Sequence, residues 1–253
     1  MDPCHELQII PVPLADEVRP GDSLLEKLLQ ALSHPTRKLQ AGDILVVKHK
    51  IVSKAEGQFV HLNTIKPSAS SRAWARRYKL DARVIELALK QSRKVIRRKR
   101  GVLITETRQG LICANSGVDV SNVDGGSRAV LLPEDPDHSA AQLYRGLKKH
   151  SRLSIPVIIS DSFGRPWREG LTEVAIGIAG MKAMRDYRGQ RDACGYPLRA
   201  SVEAVADELA CAAGLVCGKL ARIPVCIIRG FTYQPARGSA RELLRPSAAD
   251  LFR

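Results

Sequence analysis

Short apolar runs alternate along the chain with stretches in which apolar residues recur every three or four positions, a pattern that predicts strands interleaved with helices. Ser23-Leu24-Leu25-Glu26 has the form of a capping box, and Leu24, Leu25, Leu28, Leu29 and Leu32 then follow at helical spacing. After the break at His34-Pro35, the run Ile44-Leu45-Val46-Val47 reads as a strand. A helix is expected from the N-cap candidate Asp81 through Ile85, Leu87 and Ala88, with Gly101 as its stop. Strands are expected at Val102–Ile104 and Leu111–Cys113, across a turn at Gln109-Gly110, and at Ala129–Leu132. Pro133-Glu134-Asp135-Pro136 reads as a turn, followed by a helix from Ser139 to Lys149. Pro156–Ile159 is apolar throughout, the mark of a strand buried on both faces. Ser201 is expected to open a helix whose Val202, Val205, Ala206, Leu209, Ala213 and Val216 share one face, with Gly218 as the stop. Val225–Ile228 reads as the last strand, and the polar, Arg-rich residues after Gly230 are expected to fray or reach a partner.

Composition narrows the class. With 253 residues and 44% of them hydrophobic, the chain can bury a sizeable core, which excludes wholesale disorder. No apolar run approaches the roughly 20 residues that span a bilayer, and the mixed, acidic N-terminal stretch lacks the form of a signal peptide. Six cysteines are scattered without a CxxC pair, and Cys113, Cys211 and Cys226 sit in apolar runs, which favours buried thiols over a zinc site or disulfide frame. A soluble cytoplasmic protein is expected.

The charge opens three readings. Forty Lys and Arg stand against 26 Asp and Glu, a net +14. The densest block is Arg93, Lys94, Arg97, Arg98, Lys99 and Arg100, preceded by Arg72, Arg76, Arg77 and Lys79. It reads as a solvated cationic helix face, as a site for anionic metabolites or nucleotides, or as a nucleic-acid surface. Aromatics make up only 4% of the chain and none lies within residues 93–100, so nucleic acid is the least supported of the three.

Four polar clusters follow or interrupt apolar strands, where α/β proteins place ligand groups. Lys48-His49-Lys50, with Ser53 and Lys54, suits a polyphosphate or, alternatively, a solvent-facing edge strand. In Asn115–Gly126, Asp119 and Asn122 offer oxygen ligands to Mg²⁺ or Mn²⁺, although such residues also make turns unaided. Ser160-Asp161-Ser162, leading to Arg165 and Arg168, supplies a second carboxylate from a separate strand end. Such a pair forms the sparse kind of site that Mg²⁺ accepts. The fourth cluster is Cys217-Gly218-Lys219. No GxxxxGK[ST] loop, strand-linked GxGxxG, GxSxG elbow or HExxH motif is present.

Taken together, Gly42–Val47 leading to Ile51-Val52-Ser53-Lys54-Ala55-Glu56-Gly57, Ala114–Asn122, Leu132–Asp137, Ile159–Arg165 and Val202–Glu208 resemble the coenzyme F420-0:L-glutamate ligase (gamma-glutamyl ligase) family, in family order over about residues 10 to 230. The resemblance implies a GTP-dependent ligase that adds L-glutamate to a deazaflavin precursor carrying a phospholactate arm, by way of an acyl phosphate. It implies Mg²⁺ or Mn²⁺, in some members also K⁺, and an unusual α+β fold in an intertwined homodimer, without membrane contact. Two interleaved lobes are expected, about 1–90 with 190–235 and about 91–189, followed by a polar tail over 236–253.

Mapped by motif, Asp119, Asp161 and Ser162 correspond to the metal ligands. Asp16, Glu17, Val18, His49, Lys50, Lys54, Asn122, Gly218 and Lys219 fall at nucleotide-site positions. The chemistry assigns Lys54, with His49 or Lys50, to developing phosphoryl charge, and Arg165 or Arg168 to the substrate's phosphate or the incoming glutamate. Lys219 departs from the Glu or Gln usual at its position, and a cation cannot ligate Mg²⁺. Either Lys219 touches phosphate in place of a cation, or the nucleotide or substrate preference has changed. A catalytically silent relative and a nucleic-acid-binding protein are the alternatives in other functional classes.

Overall fold

The computed structural model describes residues 6–120 and 126–251. The strands are β1 (Gln8–Val12), β2 (Ile44–Lys48), β3 (Phe59–His61), β4 (Ser92–Lys99), β5 (Val102–Thr107), β6 (Ile112–Ala114), β7 (Arg128–Val130), β8 (Val157–Arg165), β9 (Arg168–Ala179), β10 (Arg185–Asp186), β11 (Val202–Glu203) and β12 (Val225–Arg229). The helices are α1 (Leu24–Leu32), α2 (His49–Ala55), α3 (Ala69–Tyr78), α4 (Ala82–Gln91), α5 (Pro136–Ser151) and α6 (Val205–Cys217).

The central sheet has the order β1-β12-β2-β8-β9. β2 and β8 run parallel, and every other neighbouring pair is antiparallel. Alternation along these strands divides their side chains between two layers. Leu45, Val47, Val157, Ile159, Val225 and Ile227 pack under α1 and α5. Ile44, Val46, Ile158, Cys226 and Ile228 face Ala206, Leu209, Ala210 and Ala213 of α6. The apolar runs are therefore buried on both sides, as their unbroken hydrophobicity requires. A third cluster joins Ala75 of α3, Ile85, Leu87 and Ala88 of α4, Leu103 of β5 and Ala129 of β7. The small sheet β4-β5-β6 lies beside this cluster, and its strand β6 packs against β8. Helices and sheets are thus mixed, in keeping with the expected α+β class.

Several elements depart from the sequence pattern. The basic block is strand β4, not a helix face: α4 stops at Gln91, and Ser92 caps it. In a helix Arg93/Arg97 and Lys94/Arg98 would stack like charges four apart, whereas a strand spreads them and suits Val95 and Ile96. Arg100 and Gly101 both have positive φ, 51° and 81°, which closes a two-residue hairpin to β5. The Lys-rich segment after β2 is helix α2, and β2 is a central strand instead of an edge. β8 continues through Asp161 and Ser162 to Arg165 because β9 pairs with it along that length. The last predicted helix starts at Val205, since Val202–Glu203 pairs with Arg185–Asp186. The segment after Gly230 is docked through residue 240. Asp137 accepts hydrogen bonds from the Ala240 amide and the Ser239 hydroxyl, and Gly180 N–H donates to Arg237 C=O. No helix among the described residues is long and apolar enough to cross a membrane.

Candidate active site

The C-terminal end of β2 lies beside the middle of the parallel strand β8, with Lys48 in register with Ser160. Lys48 ends β2, and the chain turns directly into α2, so Lys48, His49, Lys50 and Lys54 fan out from one short segment. Each meets a carboxylate from a different element. Lys48 Nζ lies 2.6 Å from Glu173 Oε1 on β9, and His49 Nε2 lies 3.2 Å from Asp161 Oδ1 on β8. Lys50 Nζ lies 2.6 Å from Asp119 Oδ2, and Lys54 Nζ donates to Glu17 Oε1 at 2.5 Å.

Backbone geometry fixes these partners. Asp119 follows the tight turn Asn115–Gly117 and pairs with Val130 through two backbone hydrogen bonds of 3.0 and 2.8 Å. That turn is pinned by Ser116, whose buried hydroxyl bonds to Thr105 Oγ1 and donates to Ala88 C=O. Glu17 sits on the exposed loop between β1 and α1, beside the exposed Asp16 and ahead of Val18, which is buried in the core. Gly218 ends α6 with φ +55°, a conformation that spares glycine the usual Cβ strain, and turns the chain toward the site. Lys219 then donates to the Ser162 hydroxyl and lies 3.8 Å from Glu173.

Glu173 is the centre of this network. It is almost wholly buried, and besides Lys48 it accepts from Ser162 Oγ at 2.7 Å and Ser160 Oγ at 3.3 Å. Burial opposes the charge on Asp161, but the His49 ring and the Ser162 N–H at 2.7 Å outweigh it and hold the carboxyl below the usual carboxylate range; Asp119 opposes them. Lys54 lowers the Glu17 carboxyl in the same way, through its hydrogen bond and its charge, with Arg222 adding to the effect. Cys113 on β6 is pushed up to about 12 by burial and by the negative charge of Asp161, so it stays a neutral thiol against the site wall. Cys226 and Cys217 are likewise buried, whereas Cys211 is half-buried and Cys194 exposed.

The structure therefore brings together Glu17, His49, Lys50, Lys54, Asp119, Asp161, Ser162, Gly218 and Lys219. Arg165 stands apart: it is four residues, about 13 Å, further along β8 than Asp161, exposed, and bonded to Glu169 C=O. Arg168 shares that exposed hairpin end. Asn122 lies outside the described residues. Glu173 was not singled out from the sequence, and Lys48, part of the cluster suited to a polyphosphate, instead meets this carboxylate. The available signal was a carboxylate heading the apolar run Val174–Ala179, where an unpaired charge would be costly.

Two carboxylates whose charges are mutually felt are a donor set that fits an oxygen-loving divalent ion retaining several waters. Among the described residues no cluster of three or more His, Cys, Asp or Glu side chains is arranged to hold a metal. The remaining ligands would thus come from water and a bound substrate.

The match with known proteins is extensive. The model of the family described as F420-0:Gamma-glutamyl ligase matches residues 14–230. The coenzyme F420:L-glutamate ligase of Methanopyrus kandleri is 41% identical over 252 residues, 98% of each chain. The protein of the same name from Methanothermobacter thermautotrophicus is 43% identical over 236 residues, covering 92% of this chain and 93% of its own. That from Methanocaldococcus jannaschii is 38% identical over 216 residues, 85% of this chain and 86% of its own. All the sequence motifs fall in order within the matched span, and this chain belongs to the F420-0:gamma-glutamyl ligase family.

Proposed function

We propose that this protein is a GTP-dependent ligase that joins L-glutamate to the phospholactate carboxylate of a deazaflavin coenzyme precursor, and then extends the product through gamma-glutamyl bonds. The observation that carries this reading is the convergence of Lys50, Lys54, Asp119 and Asp161 where β2 ends beside β8 and turns into α2, in a chain of this family.

A carboxylate oxygen is a poor leaving group, so amide formation requires activation. The substrate carboxylate attacks the γ-phosphorus of GTP, the bond to the bridging oxygen breaks, and GDP departs. The glutamate amine then attacks the acyl carbon of the acyl phosphate; inorganic phosphate leaves, and the amine loses a proton. In both steps the protein acts mainly by positioning and neutralising charge.

Lys50 and Lys54 hold the phosphates, exchanging Asp119 and Glu17 for phosphate oxygens as the nucleotide enters. His49 orients Asp161 through its 3.2 Å contact. Lys219, on the Ser162 hydroxyl, presents an ammonium where it meets phosphate. Asp119 and Asp161, with Ser162 adjacent, would hold Mg²⁺ or Mn²⁺. Such an ion screens the phosphate charge and polarises the phosphoryl oxygens when bound. Asp16, Val18, Asn122 and Gly218 complete the nucleotide site in this reading, and the exposed Arg165 meets the incoming glutamate. A K⁺ ion, a cytoplasmic setting, the two-lobe division and an intertwined homodimer belong to the same reading.

The test is an incubation of the full-length protein with GTP, Mn²⁺, L-glutamate and the deazaflavin precursor. Phosphate release and product mass are followed together. The expected product gains one or more glutamyl units with one phosphate per bond. Nucleotide binding without phosphate release or mass gain would instead establish a silent relative, the reading that the Lys219 substitution favours.

A further inference from the structure

The basic residues are concentrated outside the site. Residues 66–108 hold fourteen Lys and Arg against three Asp and Glu, so this stretch carries +11 of the chain's net +14. The fold gathers much of that charge on one ridge, where the C-terminal end of α3 meets the β4–β5 hairpin. Tyr78 packs against Gly101 at the hairpin turn, close enough that an added Cβ would lie 3.3 Å from the Tyr78 Cβ. One turn earlier, the Arg98 guanidinium sits 4.4 Å above the Trp74 ring and donates to Ser70 C=O at 3.3 Å. Arg76 and Arg77 at the end of α3, Lys79 capping it, and Arg97, Lys99 and Arg100 from the hairpin are all exposed. None of these six forms an ion pair among the described residues.

Protection of the open edge of β4 against pairing accounts for part of this charge, but one or two lysines on the strand suffice for that. It gives no reason for the three cations at the C-terminal end of α3 and its cap, which are not an edge. A small anion would touch only a few of the six groups, because they come from two separate elements and three of them alone span about 10 Å from Arg97 to Arg100.

Two features decide between polyanions. The aromatic rings are already engaged: Arg98 lies over Trp74, and the Tyr78 ring is 4.4 Å from Trp74 at a 54° tilt. Arg77 lies 5.4 Å from the Tyr78 ring, and both rings are half-buried, which leaves little ring surface for stacking on bases. In addition, aliphatic side chains stand exposed among the cations. Leu80 is 43% exposed beside Lys79, Val102 is 51% exposed beside the Gly101 turn, and Val95 is 41% exposed on β4. Phosphates gain nothing from these groups, whereas protein interfaces combine arginine with apolar contact.

We propose that the α3/β4–β5 ridge is a docking surface for an acidic segment of a partner protein. Its carboxylates engage the six cations, and one or two of its apolar side chains seat on Leu80 and Val102. This inference stands independently of the ligase reading.

The test uses the full-length protein and fluorescence anisotropy with three labelled probes of equal charge: a peptide repeating Glu-Glu-Leu, a peptide of glutamate alone, and a DNA duplex. The leucine-containing peptide is expected to bind at least about tenfold more tightly than either other probe. Arg97→Glu with Lys99→Glu should weaken it by about tenfold or more. Leu80→Ser with Val102→Thr should reduce it to the level of the glutamate peptide. All these positions are exposed, and unchanged thermal melting would confirm intact variants. Equal or tighter binding of the duplex would overturn the proposal in favour of nucleic acid. Equal binding of the two peptides would reduce the ridge to a nonspecific charge surface, and no binding at all would leave edge protection as its role.

Discussion

Lysines and arginines do different work at the head of α2 and on the α3/β4–β5 ridge. At α2, Lys48, His49, Lys50 and Lys54 each face a carboxylate from a separate element, and the innermost pair is largely removed from solvent. On the ridge, Arg76, Arg77, Lys79, Arg97, Lys99 and Arg100 stand in water with no carboxylate partner among the described residues, and only Arg93 at the far end of β4 reaches one, Glu106 at 3.8 Å. The contrast follows from desolvation. A charge carried into the interior must bring its counter-charge, while an exposed one is stabilised by water and needs none. Charge at the β2–α2 junction is therefore coupled to folding and chemistry, whereas charge on the ridge is left for encounters between molecules.

The sharpest way to break this comparison is Glu173→Ala, which would strand Lys48 in a largely buried position. A loss of about 3–5 kcal/mol is expected in urea denaturation, and the double replacement Lys48→Met, Glu173→Leu should recover most of it. If the single variant lost less than the double, the pair would not be the linchpin described. Next in size, Asp161→Asn should lower ligase turnover by about 100-fold or more, roughly 2.7 kcal/mol of barrier. Full turnover of this variant at low Mg²⁺ would remove Asp161 from the metal site.

Lys54→Ala divides the two properties. Its partner Glu17 is 72% exposed on the side chain, so stability should change by no more than about 1 kcal/mol, while the KM for GTP in the proposed reaction should rise about tenfold. The smallest effect belongs to the ridge: Arg76→Glu should shift stability by no more than about 0.5 kcal/mol, and in the stabilising direction at low salt as like-charge repulsion falls. A large destabilisation there would show that the ridge is part of the packing.

What could be read in advance follows the same division between local and distant partners. α1, the start of α4, β2, β12 and the apolar core of β8 were legible because one periodic pattern and its caps specify each. β1 was obscured by Pro11, which the strand accommodates at the sheet edge. β9 begins in polar residues and contains Gly177, so its pairing with β8, more than its own composition, makes it a strand. β4 looked helical because nothing in its charges announces a hairpin except the Arg100-Gly101 turn.

In the site, Asp119, Asp161, His49, Lys50 and Lys54 stood out as polar groups at the ends of apolar runs and through family resemblance. Glu173 did not, because its meaning depends on Lys48, a partner supplied by a strand distant in sequence. The family motifs marked Gly218 and Lys219, yet only the fold shows Lys219 on Ser162.

The order of the central sheet also sets a timetable. β12 lies between β1 and β2, so two strands made early await one made much later in synthesis. At roughly 5–20 residues per second, the interval between Val12 and Val225 lasts on the order of ten to forty seconds. Throughout it Ile9, Ile10 and the run Ile44–Val47 lack the neighbour that later covers their backbone edges. The nascent chain consequently carries two unpaired apolar edges until residues 225–229 clear the ribosome, and any truncation before them makes that aggregation-prone state permanent.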